Sequence, residues 1–134
     1  MAGHLTDRRR YLEAGRQRLA DARVLLGAGR WNGAVYLAGF AVECLLKSLL
    51  LARRGARTLD REHWHHDLWK LAAAAGVDRE LKQRSHAQAG EAFALLTNEW
   101  GVTIRYEGRR FSPPEADEIF RGARRLMTWL AGRV

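Results

Sequence analysis

From Trp31 to Leu51 the chain runs apolar on nearly every side, yet it carries one acid, Glu43, near the middle. Ala34, Leu37, Ala38, Ala41, Val42, Leu45, Leu46 and Leu49 keep the i, i+3, i+4 spacing of one helix face. Tyr36, Phe40, Glu43 and Lys47 form a second stripe on the same helix. A helix that is apolar all round either spans a bilayer or is wedged between other elements. In both settings a carboxylate needs a partner, because an unpaired charge taken out of water is costly. The chain must therefore surround this segment and answer Glu43.

A bilayer span is not expected. No window of about 18 residues here is free of charge, and Arg53 and Arg54 follow at once. Met1 to Arg10 is polar and lacks the apolar stretch of a secretory signal. The 134 residues suit one domain, 1–134, with a core large enough to fold without staples. Cys44 is the single cysteine, so no disulfide forms within the chain, and a reducing cytoplasm is the expected setting. Mid-helix among leucines and valines, Cys44 reads as a small buried hydrophobe rather than a catalytic thiol.

Twenty-three Lys and Arg against 15 Asp and Glu give a formal charge of +8, which favours polyanions or an acidic protein partner. The basic residues are scattered, however. Only Arg8-Arg9-Arg10, Arg53-Arg54, Arg109-Arg110 and Arg124-Arg125 cluster, and solvated helix faces account for most of the rest. The charge permits nucleic-acid binding without specifying it.

Five helical segments follow from the periodicity, an all-α, up-and-down bundle of four or five helices. The first opens at Thr6 or Asp7, either able to cap it, and ends at Gly27-Ala28-Gly29. The apolar helix runs from Trp31 to Arg54 and stops at Gly55. A short third helix spans Asp67 to Ala75, with Asp67 as its cap. Asp78 caps a fourth, continuous helix carrying Leu81, Ala89, Ala92, Phe93 and Leu96. Asn98 to Phe111 has no helical period, and Val102 to Tyr106 reads as extended. Ser112-Pro113-Pro114-Glu115 is a capping box with proline in the first turn, a strong start for the last helix.

Three constellations could carry chemistry. Glu43 and Lys47 have the i, i+4 spacing and order of a helical ion pair. Their apolar surroundings point to a groove or interface rather than to catalysis. His63, His65, His66 and Asp67 are the densest potential metal group, but they lack strong ligand spacing, so no metal and no cofactor are expected. The aperiodic segment places Trp100, Arg105, Tyr106, Arg109 and Arg110 together. Such interleaving suits base stacking and phosphate contact, or a loop pinned to the bundle by Trp100 and Tyr106 with Arg105 answering Glu43.

The order of these parts resembles the HEPN domain family. Gly39-Phe40-Ala41-Val42-Glu43-Cys44-Leu45-Leu46-Lys47 is similar to that family's "GYAxExxLKA" helix, His66-Asp67-Leu68-Trp69-Lys70-Leu71 to its "HDLxxL", and Arg105-Tyr106 to its "RY". The resemblance implies a helical bundle that commonly forms homodimers. It also implies binding to a minimal nucleotidyltransferase partner, a nucleotide or RNA, in a toxin–antitoxin or defence setting. Glu43, Lys47, Tyr36, Phe40, Arg105, Tyr106, His66 and Asp67 would then line the ligand or partner groove. One branch of the family is a metal-independent RNase using an arginine and a following histidine with four to six residues between them. Arg57 with His63, Arg61 with His66, and Arg79 with His86 fit that loose spacing, about as many as chance supplies. The first two pairs precede the third helix, the wrong place. Arg79 and His86 would share a face of the fourth helix and make the alternative, an RNase toxin. No histidine follows Arg105-Tyr106, so the expectation leans away from an enzyme.

Overall fold

In the computed structural model the described residues are 7–108 and 110–134, with Val102 and Arg105 described in their backbone only. The alternative cap Thr6, Arg109 and the Arg105 side chain lie outside them. Six α-helices carry the fold: α1 (Asp7–Gly27), α2 (Trp31–Arg54), α3 (Leu68–Ala74), α4 (Asp78–Leu81), α5 (Ala87–Glu99) and α6 (Pro113–Ala131). No strand occurs among the described residues.

α2 is the core of the bundle, with fifteen buried residues, and α1, α3 and α6 pack against it. By length and composition α2 could cross a bilayer, but most of it is covered by the rest of the chain. The three-residue link from α1 to α2 turns on Gly29, whose φ is +76°, and lays the two helices antiparallel. They pack closely at Gly15, where a Cβ would come within 2.7 Å of the Leu45 side chain. Gly55, at φ +62°, ends α2 in the left-handed conformation and caps its last carbonyls.

α5 and α6 form the second antiparallel pair. α6 starts as the sequence indicates: Ser112 accepts from the Glu115 amide while Glu115 accepts from the Ser112 amide. Its Ala116, Ile119, Phe120, Ala123, Met127 and Leu130 are all buried.

Three local expectations are corrected. The predicted fourth helix is broken: α4 ends at Leu81, Gln83 is extended, and a 3-10 turn at Arg84–His86 precedes α5. Residues 82 to 86 (Lys-Gln-Arg-Ser-His) offer no apolar stripe to hold a continuous helix, and the chain folds so that Gly90 packs on the Leu81 carbonyl. Asp78 is the first residue of α4 rather than its cap; Val77 holds that position without a side-chain bond. Val102–Tyr106 is a 3-10 helix instead of an extended segment. An extended segment here would have no strand to pair with, whereas the 3-10 turn satisfies its backbone locally, from Ile104 N–H to Gly101 and Glu107 N–H to Ile104, and buries Ile104.

Candidate functional site

The second stripe of α2 becomes a buried charged site. Glu43 and Lys47 are one turn apart, and their side chains are 3% and 8% exposed. Lys47 Nζ donates to Glu43 Oε2 at 2.9 Å. The third member comes from the loop before α3: His66 Nδ1 lies 2.9 Å from Oε1 and 3.1 Å from Oε2 of the same carboxylate. An ionised carboxylate only accepts, so the ring carries its proton on Nδ1 and turns Nε2 away from Glu43. His66 is half exposed, so the trio meets solvent through the imidazole while the charges beneath stay covered. No buried side-chain nitrogen or oxygen among the described residues is left without a partner.

The residue after His66 caps α3. Asp67 is the cap, as expected, accepting from the Lys70 amide at 3.0 Å. The neighbour of that cap is His65, whose Nδ1 accepts from the Asp67 amide. Partial burial, ahead of the cations Lys47 and Lys70, pushes the His65 pKa down and keeps the ring neutral, consistent with that accepting role. His63 is buried and tilts against His65 at 6.4 Å. The group with metal-compatible spacing among the described residues is Asp60, Glu62 and His63, not the His63, His65, His66 and Asp67 set; its two acids are exposed, and such surface groups are common without an ion.

The first turn of α1 is fastened to the same helix. Ser48 Oγ donates to the Arg8 carbonyl at 2.8 Å, and the Asp7 amide donates to the Arg57 carbonyl, tying α1 to α2 and to the loop. A cavity of about 270 Å³ opens there, lined by Asp7, Arg10, Tyr11 and Ala14. Burial raises the Tyr11 phenol pKa, and Asp7, Cys44 and Glu43 add to it, so the phenol stays protonated. Cys44 is buried, and burial reinforced by Glu43 pushes its thiol up to about 12, which removes it as a nucleophile.

Towards the start of α2 the stripe turns aromatic. Tyr36 stacks on Trp100 at 6.3 Å and meets Phe40 edge-on at 6.2 Å. The Trp100 indole donates to the Tyr36 carbonyl and lies directly over Gly39, where any Cβ would collide with the ring. Trp100 thus pins the connection to the bundle. Tyr106 is 83% exposed. Asn32 is the second pin, a residue the sequence reading passed over: its Nδ2 donates to the Glu107 carbonyl, and its Oδ1 accepts from the amides of Arg110 and Phe111. Glu43 is answered by Lys47 and His66; the proposed contact with Arg105 falls on a side chain outside the described residues.

Arg79 and His86 do not share a helix. Arg79 is exposed on α4, and His86 sits in the 3-10 turn before α5, where its Nδ1 accepts from the Trp129 indole at 3.3 Å. The pair therefore lacks the common face that the sequence suggested.

The helical fold is that of a known class. The profile described as "HEPN domain" matches residues 9–134, and the chain belongs to the HEPN domain family. A solved structure with the same fold is the crystal structure of TT1696 from Thermus thermophilus, 23% identical, with a TM-score of 0.69 over 97% of this chain and all of that one. A search of curated proteins finds no match.

Proposed function

We propose that this HEPN protein is a binding protein without catalysis of its own, holding a phosphate-bearing ligand, a nucleotide or RNA, at the exposed edge of His66. The observation that carries this reading is the state of Glu43. Both its oxygens are engaged by Lys47 and His66, so it is not a free base. What it offers outward is an oriented imidazole. A phosphate arriving at Nε2 favours the imidazolium and gains a charge-assisted hydrogen bond, in a chain whose net charge of +8 draws anions in. Tyr36, Phe40 and Tyr106 supply aromatic surface near the start of α2, suited to a base. A minimal nucleotidyltransferase partner, and a cytoplasmic toxin–antitoxin or defence role, belong to the same proposal and rest on the family resemblance.

Fluorescence anisotropy with a labelled single-stranded RNA, and calorimetry with a mononucleotide, separate the two phosphate sources. His66→Ala should weaken binding of the true ligand at least about tenfold, the scale of one charge-assisted hydrogen bond, with helicity by circular dichroism unchanged. Binding of neither probe, or binding indifferent to His66→Ala, would refute the reading. The same RNA should stay intact through the experiment; cleavage abolished by His86→Ala would instead establish the RNase alternative with Arg79 and His86.

A further inference from the structure

We infer that Asp60, Glu62 and His63 bind a divalent transition-metal ion of the zinc type, in the turn between α2 and α3. The sequence singles out His63, His65, His66 and Asp67, and the fold commits three of the four elsewhere. His66 meets Glu43, Asp67 caps α3, and His65 accepts from the Asp67 amide. His63 is left over. It is only 8% exposed, yet neither of its ring nitrogens makes a hydrogen bond to a described residue. Nδ1 stands 4.0 Å from Glu62 Oε1, beyond hydrogen-bonding reach. Both nitrogens keep a narrow edge to solvent, since no fully covered side-chain nitrogen among the described residues lacks a partner. Donor atoms of Asp60, Glu62 and His63 all lie within 4.8 Å of one another. Exposed acids alone are no site; a covered imidazole with uncommitted nitrogens beside two carboxylates is the donor set of one.

The local backbone brings the three donors together. Arg61–His63 is one turn of 3-10 helix, and Asp60 is its N-cap residue. Residues three apart share a side of such a turn, and the His63 amide donates to the Asp60 carbonyl at 2.9 Å. The turn is also held from outside, because the Trp64 indole donates to the carbonyl of buried Leu59. Against this fixed backbone the Asp60 and Glu62 side chains, each 71% exposed, are able to rotate. Zinc bonds of about 2.0–2.2 Å require tetrahedral donors about 3.4 Å apart, a closure that rotation of the two acids supplies. Two carboxylates balance the charge of the ion, and water fills the remaining position. The imidazole selects zinc-type ions over Mg²⁺ and Ca²⁺, which take oxygen donors. Arg54, 4.0 Å from the Asp60 carboxylate in a loose and exposed pair, gives way to the ion. The site is separate from the trio of Glu43, Lys47 and His66, and a bound ion would brace the loop that carries His66.

Calorimetry of the full chain, stripped with EDTA and titrated with zinc sulfate, should find one ion per chain. Co²⁺ in place of zinc gives an optical test, since its visible absorption depends on the ligands and should change with His63→Gln. His63→Gln, and separately Asp60→Asn with Glu62→Gln, should each weaken zinc binding at least about tenfold, a loss that removal of even an outer-shell partner brings. Both acids are exposed, so their double variant should keep its helicity by circular dichroism and carries the test should His63→Gln unfold. Zinc should raise the thermal midpoint of the unmodified chain and leave that of the double variant in place. Mg²⁺ and Ca²⁺ should bind at least about tenfold more weakly than zinc. Absence of zinc binding, affinity untouched by the acid pair or lost instead with His65→Ala, or Mg²⁺ held as tightly as zinc would overturn the inference.

Discussion

His66 and Glu43 are joined by one ring nitrogen set between two carboxylate oxygens, 2.9 and 3.1 Å away, across 23 residues of sequence. The contact fastens the loop before α3 to the middle of the most buried helix. It also meets a carboxylate whose other contact is the Lys47 ammonium. A carboxylate 3% exposed in an apolar helix is tolerable only because both oxygens are met.

Glu43→Ala should therefore destabilise the protein by about 3–5 kcal/mol in urea unfolding, because it leaves the Lys47 ammonium buried alone. Replacing both, as Glu43→Leu with Lys47→Met, should recover most of that loss. A single-mutant cost under about 1 kcal/mol would mean that Lys47 reaches water instead.

Gly39→Ala sets two effects against each other. Alanine is the better helix former by about 1 kcal/mol, but its methyl would enter the Trp100 ring. Overpacking at such a contact costs about 1–3 kcal/mol, so the variant should be less stable. Shrinking the ring with Trp100→Leu in the Gly39→Ala background should cost less than the two changes summed, as expected for sites in contact. Simple additivity would show that the ring moves aside.

Cys44 should be inert to alkylation in the folded protein at pH 8, since its thiol is buried and titrates near 12. Modification should track unfolding as denaturant is added. Rapid labelling before the transition would contradict the packing of α2.

The hydrogen bonds from Arg133 hold the Glu80 carboxyl below its ordinary value of 4.5. Its folded pKa is thus lower than its unfolded one. The stabilisation is complete above about pH 4.5 and fades as pH falls through the folded value. Glu80→Gln should flatten the acid limb of the stability profile below pH 4.5 and change the profile shape little above it. An unaltered acid limb would show that the link contributes nothing.

Wherever apolar spacing repeated, the fold could be read from residues alone. α2 and α6 were legible in extent and in buried face, because Gly55 and the Ser112–Glu115 box mark their ends. The break after Leu81 was not, since it depends on Gly90 meeting a backbone carbonyl, a contact with no local signature. Of the site, Glu43 and Lys47 were readable from spacing. His66 entered the site only through the family resemblance, since its contact with Glu43 spans 23 residues and leaves no local spacing. Asn32 left no trace at all, for its three bonds go to residues 75 to 79 positions away.

Those Asn32 bonds bear on the order in which the chain assembles. The α1–α2 hairpin starts from a three-residue link and can zip outward from near neighbours in sequence, the kind of contact that forms fast. The connection into α6 is held instead by a carboxamide from the first turn of α2. That closure carries the entropy of a long loop and waits for the core helix to exist. Amide exchange at Arg110 and Phe111 then reports less on their own surroundings than on whether a turn of helix far back along the chain is still wound.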